Sequence, residues 1–230
     1  MFRYFLRGGD PKTYLVSLLL TLPIMLLSLS VHETAHGFVA HLLGDPTAER
    51  QGRLSLNPMK HLNLFGFLCM LLTGFGWANP VPVDSRYFKK PRRDVTLVAL
   101  AGPVSNLLLA VLFLLLLRFL GLGVLVTIPI KTEFQFHLIE ATILLFYYGV
   151  SMNVTLAVFN LLPVPPLDGS RVLHLILPPK AYLFVMRYER IITLVFMALL
   201  LLGPLSFLIS FVTDLILKGL FALVGIGGLL

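Results

Sequence analysis

The chain has 230 residues, of which 57% are hydrophobic and only 13% are charged, and its mean hydropathy is +0.91. Soluble domains carry about 25% charged residues, so this composition excludes an ordinary soluble protein and indicates an integral membrane protein. The net charge of +7 does not indicate a nucleic-acid partner. The basic residues flank apolar runs, as they do in proteins oriented in a bilayer with anionic headgroups. The single cysteine, Cys69, excludes an internal disulfide.

The first apolar run begins near Thr13 and is predicted to continue as one helix to about Leu43. Gly44-Asp45-Pro46 ends it, because glycine favours a C-cap and proline cannot continue a helix. Basic residues precede the run, as in a signal peptide. The run is longer than the apolar region of a signal peptide, about 7–15 residues, and no small-residue cleavage site follows it. We therefore expect a retained membrane span.

A metal-binding motif lies near the end of this span. His32-Glu33-Thr34-Ala35-His36 reads H-E-x-x-H. Positions i and i+4 share one face of a helix, so His32 and His36 can hold one metal ion between them. Glu33 is placed to take a proton from a water molecule at that metal. A catalytic zinc site normally has three protein ligands, so the third must come from elsewhere in the chain.

The region after the first span is polar and then apolar again. Arg53–Pro58 alternates polar and apolar residues, which favours a short strand. The segment Leu64–Trp77 is too short for a comfortable span of about 20 residues, and its glycines favour a re-entrant or buried hairpin. The segment 79–83 is predicted to be extended, because Pro80 and Pro82 exclude a helix.

Three further spans are predicted, at about 95–120, 138–162 and 191–212, with a short helix from Asp168 to about Leu177. The fold class is therefore an all-α polytopic membrane protein with about four to six transmembrane helices and a short re-entrant or β-hairpin segment after the first. We expect a single domain over residues 1–230, with a catalytic core at about 13–178 and C-terminal helices at about 181–230. Whether residues 214–230 span the membrane stays open.

The third ligand is predicted to be Asp168, which follows the end of the third span and so lies at the same membrane face as the end of the first. An ionised aspartate in apolar surroundings is costly unless it is paired or binds a metal. One zinc ion per chain would then be held by His32, His36 and Asp168. Asn160 and Asn106 are the two amides that could stabilise an oxyanion, and the sequence does not choose between them.

Most lysines and arginines lie in the loops on the side where the first and third spans end. The positive-inside rule therefore predicts that the metal motif and Asp168 lie nearer the cytoplasm, with the N-terminus outside.

These residues resemble the site-2 protease family of intramembrane zinc metalloproteases. The resemblance covers about residues 15–178. It implies that His32, His36 and Asp168 are zinc ligands, that Glu33 is catalytic and that Asn160 positions or stabilises the substrate carbonyl. Besides the H-E-x-x-H motif, the resemblance is carried by Asn160–Gly169 (N-x-x-P-x-P-P-L-D-G), Gly44–Ala48, Gly52–Pro58, Gly76–Val83 and Ala101–Asn106. These segments look like the short bacterial branch of the family, which has no PDZ or CBS domains.

The resemblance also implies a function and a location. The expected reaction is hydrolysis of peptide bonds within or near transmembrane segments of membrane-protein substrates, in regulated intramembrane proteolysis at a bacterial inner membrane. A substrate helix would unwind and add as a strand to an exposed edge, at Arg53–Asn57 or Val81–Val83. Arg53, Asn57 and Asn106 are thus possible substrate contacts. The expected partners are this substrate helix and the lipid bilayer, and no oligomeric state is predicted.

Two other classes of protein fit the sequence less well than a protease. An ion transporter or channel would show inverted repeats and matching broken helices, and the sequence has no such repeat. A catalytically inactive relative would lack a ligand or the glutamate, whereas this chain keeps all four residues. Histidines that merely hydrogen-bond in a polar cavity would leave Glu33 and Asp168 unexplained.

Overall fold

The computed structural model describes residues 11–73 and 76–226. Within these described ranges four helices contain stretches long and apolar enough to cross a membrane, namely α1, α3, α4 and α8, which confirms an all-α polytopic membrane protein. The helix bounds are α1 (Pro11–Leu42), α2 (Leu64–Thr73), α3 (Pro91–Leu116), α4 (Glu133–Asn160), α5 (Gly169–Ile176), α6 (Pro179–Arg187), α7 (Glu189–Leu202) and α8 (Pro204–Leu223).

Helices α1, α3 and α4 pack against one another, and α8 packs on α4. Gly149 of α4 lets the backbone approach α3, because a Cβ there would lie 2.4 Å from the ring of Phe113. Such small residues allow close helix contacts in membranes. The buried core includes Ala110, Leu114, Leu117, Val150, Val154, Phe196, Leu200 and Phe221. Many large apolar side chains point outward, among them Leu108, Phe119 and Leu194, as lipid contact requires.

The end of α1 is tied to a distant segment by Asp45. Gly44 adopts a left-handed conformation with φ of 105°, and the Asp45 N–H donates to the carbonyl of Ala40 at 2.9 Å, as in a helix C-cap. The Asp45 carboxylate is fully buried. It accepts the N–H groups of Thr47 at 2.9 Å and Asp84 at 2.7 Å. The chain that follows the loop is thereby held against α1.

The strand predicted for Arg53–Pro58 is wrong, since no strand forms in the described part of the chain. The physical reason is that side chains bind this backbone instead of a partner strand. The Ser55 carbonyl accepts from Thr34 Oγ1 at 2.9 Å and from His61 Nε2 at 2.7 Å. The apolar segment that follows forms the ten-residue helix α2. An isolated antiparallel bridge between Leu62 and Ala78 closes the loop that contains it.

The predicted span at 191–212 is two helices rather than one. Gly203 adopts φ of 108° and caps α7, and Pro204 starts α8. Left-handed glycine ends a helix and proline suits the first helical position. Helix α8 then continues to Leu223 and is itself a candidate span, so part of the region left open at 214–230 is helical. The basic N-terminal segment 1–10 and residues 227–230 lie outside the described residues.

Candidate metal centre

The structure brings together the three side chains that the sequence predicted as ligands. His32 and His36 lie on successive turns of α1, and Asp168 directly precedes α5. The two Nε2 atoms are 3.0 Å apart. Asp168 Oδ2 lies 3.1 Å from Nε2 of His32 and 3.4 Å from Nε2 of His36. Three candidate ligand atoms therefore face one point.

The hydrogen bonds of the two imidazoles determine which nitrogen carries the proton. His36 Nδ1 lies 2.7 Å from the Val98 carbonyl, which can only accept. His32 Nδ1 lies 2.6 Å from Asn106 Oδ1. The amide of Asn106 is oriented this way because its Nδ2 donates to Asn153 Oδ1 at 2.9 Å. In neutral rings both protons are thus on Nδ1, and both Nε2 atoms present lone pairs.

This arrangement fits a bound cation. With both imidazoles neutral, two nitrogen lone pairs and a carboxylate oxygen face one another with no proton to share, and Asp168 Oδ2 is buried without a hydrogen-bond partner. Their separations are near the edge of about 3.4 Å of a tetrahedron with metal–ligand bonds of about 2.1 Å. Two imidazoles and one carboxylate form a ligand set found in catalytic zinc sites. The residues present therefore fit a zinc ion.

Gly102 of α3 makes room for the histidines. A Cβ at this position would lie 2.5 Å from Nε2 of both His32 and His36, so any side chain would displace the imidazoles. Gly102 lies in the Ala101-Gly102-Pro103 motif, whose small residues are typical of close helix contacts. The sequence did not show that the contact is with the candidate ligands.

Asn106 is placed to orient His32. Its side chain is fully buried, its Oδ1 accepts from His32, and its Nδ2 donates to Asn153. Asn153 in turn donates to the Gly149 carbonyl at 2.8 Å. This placement favours a ligand-orienting role for Asn106 over contact with an oxyanion. The sequence reasoning missed Asn153. Asn153 lies seven residues before Asn160, which is about two helical turns. This spacing places both asparagines on one face of the helix and is the feature of the sequence that indicates Asn153.

Glu33 is held by the extended segment that follows the loop. Its Oε2 accepts the Val81 N–H at 2.9 Å. Arg53 supports the same segment, because its Nη2 donates to the Asn79 carbonyl at 2.6 Å. Asn57 Oδ1 accepts the Met59 N–H at 3.0 Å and caps a short 3-10 helix. In this structure Arg53 and Asn57 thus stabilise the loop and do not line the cavity beside the histidines.

A cavity of about 510 Å³ opens beside these residues. Asn160 lines it, and its Nδ2 donates to the Leu156 carbonyl at 3.0 Å. The polar side chains in its lining are those of His32, Glu33, His36, Asp168, Asn160 and Arg171. Most of the other lining residues are apolar, among them Trp77, Val81, Val95, Val98, Leu156, Phe159 and Leu167. A short extended peptide with apolar side chains suits such a cavity.

A polytopic helical bundle that buries this motif beside Asp168 defines a membrane metalloprotease. The chain matches the Peptidase family M50 over residues 20–203. It belongs to this family, the site-2 proteases, and is a zinc metalloprotease.

Several curated relatives are named as candidate zinc metalloproteases. YwhC of Bacillus subtilis is 45% identical over 158 residues, which cover 67% of this chain and 68% of that protein. Rip2 of Mycolicibacterium smegmatis is 32% identical over 179 residues, or 74% of this chain and 62% of that one. MJ0611 of Methanocaldococcus jannaschii is 31% identical over 153 residues, which cover 65% of this chain and 71% of that protein. No solved structure matches the chain.

Proposed function

We propose that this protease hydrolyses peptide bonds within or near transmembrane segments of membrane-protein substrates, in regulated intramembrane proteolysis. The observation that carries the proposal is the position of the metal centre. His32, Glu33 and His36 lie within a helix that is itself a candidate membrane span, and the cavity beside them has mainly apolar walls. A substrate that enters from the bilayer matches both features.

In this proposal one zinc ion per chain is held by His32, His36 and Asp168. When bound, zinc supplies a Lewis acid that polarises the scissile carbonyl and acidifies a water molecule. Glu33 takes a proton from the attacking water and delivers it to the leaving nitrogen. The Val81 N–H occupies Glu33 Oε2, which leaves Oε1 for these transfers. Asn160 is the amide that would contact the substrate carbonyl.

The substrate must be extended at this site, because the peptide bonds of a helix are shielded by their own side chains and hydrogen bonds. We propose that it lies along Val81–Val83. Proline at position 82 has no N–H, and the Val81 N–H is engaged by Glu33. The backbone of Val81–Val83 therefore offers mainly carbonyl groups as hydrogen-bond acceptors to a substrate that lies along it.

Metal dependence tests the proposed function. We expect purified protein to contain about one zinc per chain and to cleave a model transmembrane substrate in detergent or nanodiscs, because the described residues contain one set of three candidate ligands. A chelator should abolish cleavage, and added zinc should restore it. Magnesium is the matched control and should restore nothing, since it prefers octahedral oxygen ligands. Cleavage that persists in metal-free protein would contradict the proposal.

We also propose that the protein lies in a bacterial inner membrane with the metal centre nearer the cytoplasm. Arg92 at the start of α3 and Lys131 before α4 are both exposed and lie at opposite ends of this pair of spans. In a Cys69→Ser background, Arg92→Cys should resist an impermeant thiol reagent applied to intact spheroplasts, whereas Lys131→Cys should react. The reverse labelling pattern would invert the orientation.

A further inference from the structure

Arg171 is a cation in the cavity that the proposed mechanism does not use. It lies on α5, three residues after Asp168, is half-buried and lines the cavity. No carboxylate among the described residues forms an ion pair with its guanidinium. Its one side-chain hydrogen bond there is a long contact from Nη1 to Met186 Sδ, at 3.6 Å.

The surroundings of Arg171 are basic. Thr96 Oγ1 donates to the Arg171 carbonyl at 3.2 Å, which ties α5 to the start of α3. Burial lowers the pKa of His174, and the charges of Arg92 and Arg171 lower it further. The acid near the start of α3, Asp94, is already engaged, by Arg93 at 2.7 Å and by the Lys90 N–H at 2.9 Å. Arg92 and Arg171 thus place positive charge beside His174, and the carboxylate of Asp168, the acid nearest to Arg171 along the chain, faces the two histidines instead.

A half-buried guanidinium without a counter-ion is costly next to apolar walls. Its planar fork matches a carboxylate, which it can bind through two parallel hydrogen bonds. We propose that Arg171 binds an aspartate or glutamate side chain of the substrate close to the scissile bond, and that this contact sets the sequence preference of the protease. The inference rests on the proposed function and names a feature of its substrates.

The position of Arg171 indicates where the acid lies. Residues three apart on a helix have Cβ atoms about 5–6 Å apart, so Arg171 is about one turn from Asp168. An extended substrate advances about 3.3 Å per residue, and the arginine side chain adds its own reach, which places the acidic residue within a few residues of the scissile bond. An anionic lipid headgroup is the rival ligand. A headgroup is less favoured at Arg171, because this residue lines the cavity together with Asp168 and Asn160. The exposed Arg92 is more accessible to a headgroup.

Matched substrates test this inference by cleavage. Model transmembrane substrates carry glutamate or glutamine at each position flanking the scissile bond, and kcat/KM is measured for each pair. We expect wild type to prefer glutamate about tenfold at one position, as for a charge-assisted hydrogen bond. Arg171→Gln should bring that ratio close to one, and Arg171→Glu should favour a lysine substrate. Arg50→Gln, an exposed arginine away from the cavity, should keep the wild-type ratio.

A binding measurement separates this inference from the proposed function. The same substrate pairs, fluorescently labelled, are titrated with zinc-loaded Glu33→Gln protein in nanodiscs of zwitterionic lipid, where no hydrolysis is needed. We expect the Kd of the glutamine substrate to exceed that of the glutamate substrate about tenfold. In Glu33→Gln/Arg171→Gln this ratio should fall to about one. Both results are expected even if wild type cleaves nothing. Equal binding of every pair, or an unchanged ratio in the double variant, would overturn the inference. So would an effect of Arg171→Gln that appears only with anionic lipid.

Discussion

Replacement of Glu33 by glutamine should abolish peptide hydrolysis while the protein retains its zinc. Glutamine is almost isosteric, and its carbonyl oxygen can still accept the Val81 N–H that Glu33 accepts at 2.9 Å. It cannot take a proton from water, however, and general acid–base catalysis contributes about 10²–10⁴-fold to rates. We expect kcat on a model transmembrane substrate to fall by about this factor, with metal content unchanged.

Glu49→Gln is the matched control for this experiment. Glu49 is exposed on the helical turn Thr47–Arg50, where it pairs with His41 at 3.3 Å. The control variant should therefore cleave at the wild-type rate. Undiminished cleavage by Glu33→Gln would contradict the proposed role. Loss of zinc from Glu33→Gln would instead make Glu33 part of the metal-binding set.

The second large effect is expected for Asp168→Ala, which should lose zinc. The carboxylate is one of three candidate ligands, and its Oδ2 lies within 3.4 Å of both Nε2 atoms. Removal of a residue that only supports a ligand typically weakens metal affinity by about 10–100-fold, so loss of a ligand should weaken it by more. We expect zinc occupancy after dialysis to be close to zero, and cleavage to be lost with it.

This outcome can be separated from a folding defect. Asp168 precedes α5 but makes no side-chain capping hydrogen bond, so alanine removes no helix cap. Asp214→Ala on α8 is the matched control, because Asp214 is exposed. It should retain zinc, and both variants should elute from size exclusion like wild type. Full zinc occupancy in Asp168→Ala would show that Asp168 is not a ligand.

The class of protein could be predicted from the sequence because the relevant patterns are local. A run of apolar residues long enough to cross a bilayer is a property of consecutive positions. The i, i+4 spacing of His32 and His36 places them on one helix face whatever surrounds the helix. Asp168 followed from the cost of an unpaired carboxylate in apolar surroundings, together with a count of membrane crossings.

Local patterns failed where tertiary contacts compete with them. The alternation in Arg53–Pro58 predicts a strand, but Thr34 and His61 bind the Ser55 carbonyl, and the described part of the chain offers no neighbouring strand. The apolar run through Gly203 predicts one helix, but a left-handed glycine followed by Pro204 breaks it. In both cases the backbone and side-chain chemistry of single residues overrides the hydrophobic pattern.

The sequence by itself therefore determined an α-helical membrane metalloprotease and its four candidate active-site residues. Only the tertiary structure decided what surrounds them. Gly102 makes room for the imidazoles, Asn106 and Val98 orient them, and Arg171 adds a cation to the cavity. These relations depend on the rotation and depth of each helix relative to its neighbours. Side-chain packing between helices sets both quantities, and no periodicity within a single helix encodes them.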